Sequence, residues 1–338
     1  MRFVPSQENQ DFASSLDDLL SSADVVAAAR AWAAGDAGPG HRIWGALARL
    51  GVPALAVPEE HGGVGGDPAD LAVAFQRLGY HGVPGPVVES IAVLPVLLGA
   101  DSPHLAALAE GAIGTVALAP RTPFLLDADV ADLRFVAGVD GSMTEVPAPS
   151  TEPLGSIDRT RRLFHPQLNT VTEGEPAGRI LHNGVQSGEV AGAFAVAAQL
   201  LGAGRRLLDD TVEYAKARSQ YGKAIGEYQA IKHLLADVAT RLELAAPLLH
   251  GAAVALSGAA SRGVDLDPVR DVSAARVAAA DAAYLAARTA LQVHGAIGYT
   301  AEHDLGLWIT KVRALQSAWG TQAEHRAVVL DAVRKAAR

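Results

Sequence analysis

A short loop between two apolar helical patterns carries the first residues suited to ligand binding. It runs from Arg218 through Tyr221, Gly222 and Gly226 to Gln229. The start of a helix offers backbone N–H groups to an anion, and a guanidinium forms paired hydrogen bonds with phosphate. These residue types therefore indicate a cradle for a phosphate-bearing ligand. In a second interpretation the glycines only cap helices and Arg218 pairs with a surface carboxylate.

A second glycine-rich segment, residues 292–299, follows the end of another predicted helix. It contains Gln292, His294, Gly295 and Ala296. Glycine at this place lets backbone approach a ligand closely, but it is also a common way to end a helix. We interpret His294 as a turn or core histidine rather than a base.

Composition excludes several classes of function. The 338 residues include 28 basic and 37 acidic side chains, a formal net charge of −9 and no cysteine, which rules out thiol nucleophiles, thiolate metal sites and disulfides. His61 and His81 have no carboxylate at metal-ligand spacing, so we predict no metal site. An acidic chain without a long basic run is not expected to bind nucleic acid. No apolar stretch reaches about 18 residues and residues 1–15 do not resemble a signal peptide, so we expect a cytoplasmic protein with no membrane partner.

The elements that must position the two segments fall into three zones. Residues 1–113 show helical periodicity between glycine and proline breakers, residues 114–187 show short apolar runs typical of strands, and residues 188–338 show long helical stripes. Asp267 and Pro268 are typical of the cap and first position of a helix. Alanine-rich faces favour the close packing of a four-helix bundle. We therefore predict a mainly α fold with an N-terminal helical domain, a small middle β domain and a C-terminal helical bundle.

The apolar spacing also predicts individual elements. In the N-terminal zone, helical blocks are expected at residues 17–29, 43–50, 71–78 and 91–98. Strands are expected at residues 116–118, 133–139 and 178–181. The C-terminal pattern begins near Glu189, and its helices are expected at residues 194–215, 231–249 (with a kink at Pro247), 267–292, 305–312 and 323–333.

Three motifs, in this order, resemble those of acyl-CoA dehydrogenases: residues 58–65, the loop at 218–229 and the turn at 292–299. The resemblance covers both helical zones and implies the family's fold, an N-terminal helical domain, a middle β domain and a C-terminal four-helix bundle. It also implies the family's reaction. A glutamate removes the α-proton of an acyl-CoA thioester, and the Cα–Cβ bond is oxidised by hydride transfer to FAD.

The resemblance implies cofactor-binding residues as well. In the family, the first loop and the glycine-rich turn hold the ADP half of an FAD that belongs to a neighbouring subunit. The first loop matches at Arg218, Gln220, Tyr221, Ile225 and Gln229. The turn and the C-terminal segment match at Gln292, Gly295, Ala296 (in place of a second glycine) and Thr321.

The catalytic base is where this sequence departs from the family. The usual glutamate of a Tyr-Glu-Gly-Thr segment is replaced by Trp319, so we predict no catalytic residue there. In some relatives the glutamate lies on the first bundle helix instead. The register places Gly192 at that position, and Glu189 can reach it only if the helix start is shifted. The family's arginine after the displaced base is Ala193, and the Arg-Asp pair before the usual base is Thr310-Lys311.

The middle β segment resembles a severely shortened version of the family's domain. Residues 151–158 are similar to a flavin-contacting strand, but they lie too close to Arg218 for the rest of a full β domain. We interpret them as a surface loop, with Asp158, Arg159 and Arg161 as solvated charges.

The residues that act on a neighbour's FAD are retained, whereas those that act within one subunit are lost. This combination resembles the short subunit of actinobacterial heteromeric acyl-CoA dehydrogenases. It implies an FAD-dependent enzyme whose partner is a longer acyl-CoA dehydrogenase subunit, acting on a steroid-derived or another bulky acyl-CoA. Two alternatives remain: a stand-alone flavoprotein with a relocated base or different chemistry, and a structural assembly subunit without nucleotide contact.

Overall fold

The N-terminal part of the chain folds as helices joined by short turns. The computed structural model describes residues 6–138, 141–167, 178–179, 184–258, 265–300 and 303–337. A π-helical turn, Glu89–Val93, leads directly into the fifth helix. The helices of this part are α1 (Gln7–Ser22), α2 (Val25–Ala33), α3 (Gly38–Arg49), α4 (Pro68–His81), α5 (Leu94–Leu97) and α6 (His104–Ala109). None of the helices in the described ranges is long and apolar enough to cross a membrane.

Side-chain caps decide where these helices begin. The prediction of one helical block at residues 17–29 is wrong, because the chain is extended at Ala23 and a new helix starts at Val25. The Asp24 carboxylate accepts a hydrogen bond from the backbone N–H of Ala27 and caps α2. Asp67 caps α4 in the same way. Such caps stabilise a helix by about 1 kcal/mol each. The remaining predicted blocks correspond to α3, α4 and the π-turn with α5.

The middle segment contains short strands. They are β1 (Gly114–Leu118), β2 (Leu125–Leu126), β3 (Leu133–Ala137), β4 (Ser142–Glu145), β5 (Leu163–Phe164) and β6 (Gly178–Arg179). β1 pairs in parallel with β3, β3 and β4 are antiparallel, and β4 pairs with β6, while β2 and β5 form a separate pair. The predicted strands are confirmed at 116–118, 133–137 and 178–179. Residues 139 and 180–181 lie outside the described residues.

The C-terminal part is a helical bundle, as predicted. Its first helix begins at Gly184, before the predicted start near Glu189 and inside the range assigned to the β domain. Pro247 lies within the second helix, which continues past it. Asp267 caps the third helix and Pro268 takes its first position, which confirms that prediction. The helices are α7 (Gly184–Ala217), α8 (Gln229–Leu256), α9 (Pro268–His294), α10 (Leu305–Leu315) and α11 (Gln322–Ala336).

A contiguous apolar core joins the N-terminal helices to the bundle. α4 lies against α7 at Gly202, where an added Cβ would come within 2.8 Å of the backbone nitrogen of Tyr80. The buried Trp308 of α10 donates its indole N–H to the Tyr80 carbonyl at 3.0 Å. These contacts fix the bundle against the N-terminal helices.

Candidate functional site

Residues 218–229 form a hairpin that joins the end of α7 to the start of α8. β7 (Ser219–Gln220) pairs antiparallel with β8 (Lys223–Ala224), and the turn between them has φ of 51° at Tyr221 and 84° at Gly222. Two successive positive φ angles are typical of a type I′ turn. A bulky residue at positive φ costs energy, and Tyr221, which is 95% exposed, buries little surface to offset that cost. The turn therefore holds an aromatic ring in solvent, accessible to a ligand.

Arg218 lies at the base of this hairpin. Its backbone N–H donates to the Tyr214 carbonyl at 2.9 Å, and its own carbonyl accepts from the Ile225 N–H at 2.8 Å. The side chain is exposed and makes no ion pair or side-chain hydrogen bond within the part of the chain that the structure describes. That part offers no carboxylate partner of the kind the second interpretation requires. Gln220 and Gln229 are also exposed, and α8 begins without a side-chain cap.

The glycine-rich turn lies at the same end of the bundle. The His294 ring stacks on the Tyr214 ring with centroids 4.1 Å apart, which places the last turn of α9 beside the last turn of α7. His294 is buried and its Nδ1 lies 2.8 Å from the Ala290 carbonyl. Burial lowers its pKa. Its neighbours Gln292, Gly295 and Ala296 are exposed. The structure thus brings the two predicted nucleotide-binding segments to one end of the bundle.

Thr321 has a different environment from the other predicted cofactor-binding residues. Its hydroxyl accepts a hydrogen bond from the Glu324 backbone N–H and donates to the Glu324 carboxylate at 2.7 Å. This reciprocal arrangement caps α11. Thr321 also borders a cavity of about 720 Å³ between the β segment, α10 and α11.

Trp319 occupies the space beside Gly192. The indole is 2% exposed, and a Cβ added at Gly192 would lie 2.6 Å from its Cε3 and 2.7 Å from its Cγ. No side chain larger than hydrogen fits at Gly192 while the indole is in place. Positions 192 and 319, where the resemblance places the family's base, therefore hold no carboxylate, and the indole leaves no room for a glutamate at 192.

The turn that carries Trp319 is fixed by buried polar groups. Trp319 itself has a positive φ of 55°. The Nε2–H of His325 donates to the Trp319 carbonyl at 3.1 Å, and its Nδ1 lies 3.1 Å from the Ser273 hydroxyl. The fully buried Arg276 donates to the carbonyls of Leu315 and Ala318. These hydrogen bonds fix the backbone of the turn and so hold the Trp319 indole in position.

His325 predicts a pH dependence of stability. Burial, and then the nearby Arg276 guanidinium, lower the pKa of His325 to about 4, whereas in the unfolded chain it is about 6.5. Between these values the unfolded chain binds a proton that the folded chain does not, so stability falls as the pH falls from 6.5 to 4. Between pH 7 and 5 wild type should lose about 2 kcal/mol more than His325→Gln. Urea unfolding of both chains at the two pH values measures this, and equal losses would contradict it.

Glu189, the alternative base considered from the sequence, is engaged elsewhere. Its carboxylate lies 2.9 Å from a guanidinium nitrogen of Arg121, and both side chains are partly buried. Burial has the largest effect on the pKa of Glu189 and raises it. The Arg121 guanidinium lowers it and Glu324 raises it, and the net pKa is raised. Glu189 therefore joins α7 to the β segment by an ion pair.

The expectation that Asp158 is a solvated charge is wrong. Asp158 is 1% exposed, and its carboxylate accepts hydrogen bonds from the Thr160 backbone and hydroxyl. Its other oxygen lies 3.3 Å from the Lys311 ammonium of α10. Burial raises the pKa of Asp158, but Lys311 and Thr160 outweigh burial and the net pKa is lowered. The loop at 151–158 is mostly exposed, as expected, but its last residue anchors the β segment on the bundle. Arg159 is exposed and Arg161 half-buried.

Glu89 is a functional candidate that sequence reasoning missed. It is 1% exposed, it accepts a hydrogen bond from the Trp319 indole N–H at 3.0 Å, and it borders the cavity of about 720 Å³. The only signal in the sequence is an acidic residue within the apolar run of residues 87–98. Its partner lies far away in the sequence, so the contact exists only in the folded chain.

Comparison with known proteins shows that the chain is similar to acyl-CoA dehydrogenases. Residues 6–100 match the N-terminal domain of that family and residues 189–333 its C-terminal domain. The chain is 34% identical over 313 residues to the acyl-CoA dehydrogenase IpdE2 of Mycobacterium tuberculosis. The alignment covers 91% of this chain and 92% of the relative.

Solved structures share the fold at low sequence identity. A chain of the ChsE4-ChsE5 complex from Mycobacterium tuberculosis is similar with a TM-score of 0.79 at 19% identity, covering 99% of both chains. A chain of a Tcur3481-Tcur3483 steroid ACAD variant is similar with a TM-score of 0.76 at 20% identity, covering 98% of this chain and 99% of the other. These similarities show the fold.

Proposed function

Because this chain belongs to the acyl-CoA dehydrogenase family, whose cofactor is FAD, we propose that it is the base-lacking subunit of a heteromeric acyl-CoA dehydrogenase. A longer partner subunit supplies the glutamate and the flavin pocket. This chain completes the partner's cofactor site with the hairpin at 218–229 and the turn at 292–296. The substrate is a steroid-derived or similarly bulky acyl-CoA, in keeping with the steroid ACAD among the fold's neighbours.

The observation that carries this proposal is the packing of Trp319 on Gly192. Neither position that serves as base in the family carries a carboxylate, and the indole fills the space that a glutamate at 192 would need. α-Proton removal requires a base within hydrogen-bond reach of the substrate. A chain without a carboxylate at either position depends on another subunit for α-proton removal.

The residues at the end of the bundle fit the nucleotide half of FAD. The Arg218 guanidinium is exposed with no partner in the described residues, Tyr221 offers a free aromatic face, and a Cβ added at Gly222 or Gly295 would meet nothing within 4 Å. A guanidinium pairs with a pyrophosphate through two parallel hydrogen bonds, and an aromatic ring stacks on adenine. When bound, FAD supplies the hydride acceptor. This chain's own residues bind and orient the ADP half.

An apolar surface on α8 and α11 supports a partner subunit. Four large aliphatic side chains there are exposed: Leu244 (64%), Leu248 (44%), Leu330 (48%) and Val333 (56%). A contiguous exposed apolar patch of this kind is typical of a protein–protein interface.

Co-expression with a longer family member tests the proposal. We expect the chain alone to be poorly soluble or to form flavin-free oligomers, and the co-expressed pair to carry FAD and oxidise an acyl-CoA. Flavin absorbance per chain and acyl-CoA oxidation are the measurements. A stable, flavin-loaded homo-oligomer with dehydrogenase activity would refute the proposal in favour of a stand-alone flavoenzyme.

A further inference from the structure

Three aromatic rings meet at the end of the bundle that carries the hairpin and the glycine-rich turn. The Tyr214 ring of α7 and the His294 ring of α9 are stacked, with their planes inclined by 21° and their centroids 4.1 Å apart. The His303 ring, just before α10, lies edge-on to both, 6.3 Å from Tyr214 and 4.9 Å from His294 between centroids. Stacked and edge-to-face arrangements are the favourable ones for such rings. The cluster therefore joins the ends of α7 and α9 to the start of α10.

Each of the two stacked rings is connected to one ligand-binding segment. The Tyr214 carbonyl accepts the backbone N–H of Arg218 at 2.9 Å, so the first residue of the hairpin is bonded to the turn of α7 that carries the Tyr214 ring. His294 is the last residue of α9 and directly precedes Gly295, whose φ of 62° turns the chain away from the helix. A displacement of either ring therefore displaces the segment that follows it.

The His294 ring has a fixed orientation. Its Nδ1–H donates to the Ala290 carbonyl at 2.8 Å, whereas its Nε2 is buried and has no hydrogen-bond partner in the described residues. The turn after it folds back on the same residue, since a Cβ added at Gly298 would lie 3.2 Å from the His294 Cβ. The ring is therefore held by one backbone hydrogen bond, by close packing and by its stacking on Tyr214.

The proposed ADP site has two parts whose separation must be kept. The hairpin contributes Arg218 and Tyr221, and the turn at 292–296 contributes its exposed backbone at Gly295. Among the described residues, no hydrogen bond or ion pair joins residues 218–229 to residues 292–299. Their separation therefore depends on the packing of α7 against α9, and Tyr214 and His294 stack at the ends of these two helices.

We propose that Tyr214 and His294 are positioning residues of this ADP site: their stacked rings hold Arg218 and the glycine-rich turn at the separation that one nucleotide spans. They act through the residues that follow each of them and do not contact the ligand. A ligand that must touch both segments binds more weakly when these move independently, because only the fraction with the correct separation can bind it. The inference rests on the proposed role of the two segments in a partner's FAD site.

Two substitutions of Tyr214 test the stack. Tyr214→Leu removes the ring, whereas Tyr214→Phe retains it, and the Tyr214 hydroxyl has no hydrogen bond among the described residues. When FAD is titrated into the deflavinated co-expressed complex, the Leu variant should bind it about three- to tenfold more weakly than wild type. The Phe variant should match wild type, and KM for the acyl-CoA at saturating FAD should be unchanged in both. Wild-type FAD affinity in Tyr214→Leu would overturn the proposal.

The double variant of Tyr214→Leu and His294→Leu tests whether the two rings act together. Each single change already removes the stack, so the second change should weaken FAD binding little further. Residues that act through one contact give such non-additive effects. If the losses of FAD affinity multiply instead, the rings act separately and the proposal is wrong.

Leu208→Ala is the matched control for a loss of stability alone. Leu208 lies in the apolar core on the same helix, six residues before Tyr214, and its truncation destabilises the fold. It should leave FAD affinity at the wild-type value. If it weakens FAD binding as much as Tyr214→Leu does, the stack has only a structural role and the proposal is overturned.

Arg218→Ala in the same titration separates this inference from the proposed function. If Arg218→Ala weakens FAD binding and Tyr214→Leu does not, the segments bind the cofactor and only the positioning role is refuted. If Arg218→Ala leaves FAD affinity unchanged, the proposed role in a partner's cofactor site is refuted, and the positioning role with it.

Discussion

Arg218→Ala in the co-expressed complex should weaken FAD binding roughly ten- to hundredfold, since one charge-assisted hydrogen bond to the pyrophosphate is lost. Flavin content and turnover should fall together, while activity per bound flavin stays nearly constant. KM for the acyl-CoA should change little once FAD is saturating, because the ADP half lies at the opposite end of the cofactor from the reacting carbons. Arg218→Lys should restore little, since an ammonium does not reproduce the paired geometry of a guanidinium.

Lys216→Ala is the matched control for this experiment. It removes the same charge from the end of α7, but Lys216 is paired with Glu213 and projects from the helix rather than from the hairpin. Titration of FAD into the deflavinated complexes compares the three variants with wild type. If Arg218→Ala and wild type bind FAD equally, the role in a partner's cofactor site is refuted, and a purely structural subunit becomes the better description.

Trp319→Ala and Gly192→Ala should each destabilise the chain, and the double variant should lose less than their sum. Removing a buried indole costs about 3–5 kcal/mol. Adding a methyl group at Gly192 overpacks the site and costs about 1–3 kcal/mol. In the double variant the new methyl enters space that the indole has left. The resulting coupling should be at least about 1 kcal/mol, as is usual for residues in direct contact.

Gly251→Ala is the control for the glycine substitution. Gly251 lies within α8, and an added Cβ there would meet nothing within 4 Å. Alanine at that position should stabilise the helix by about 0.5–1 kcal/mol. Urea unfolding of the four members of the cycle gives the coupling. Additive losses of stability would mean that the indole does not pack on Gly192. They would contradict the exclusion of a glutamate at position 192.

Local features of the sequence determined most of the helix starts and the positions of the two exposed segments at 218–229 and 292–296. Asp267 and Pro268 mark the start of α9 because a cap and a fixed φ act within a few residues. Gly222 takes a positive φ of 84°, which glycine adopts without steric cost. The break between α1 and α2 was missed because the apolar spacing continues across it, whereas the extended backbone at Ala23 and the Asp24 cap bond appear only in the folded chain.

Tertiary structure alone decided which distant residues meet. Asp158 is a buried partner of Lys311 rather than a solvated charge, and Glu89 receives the Trp319 indole N–H. The resemblance to the family implies that Trp319 stands where the usual glutamate lies, but the sequence does not show that the indole fills the place beside Gly192. Hydrophobic periodicity specifies which face of an element is buried, not which residue of another element it meets. That depends on how the packed helices and the β segment are fitted together, at close to crystalline density, in the folded chain.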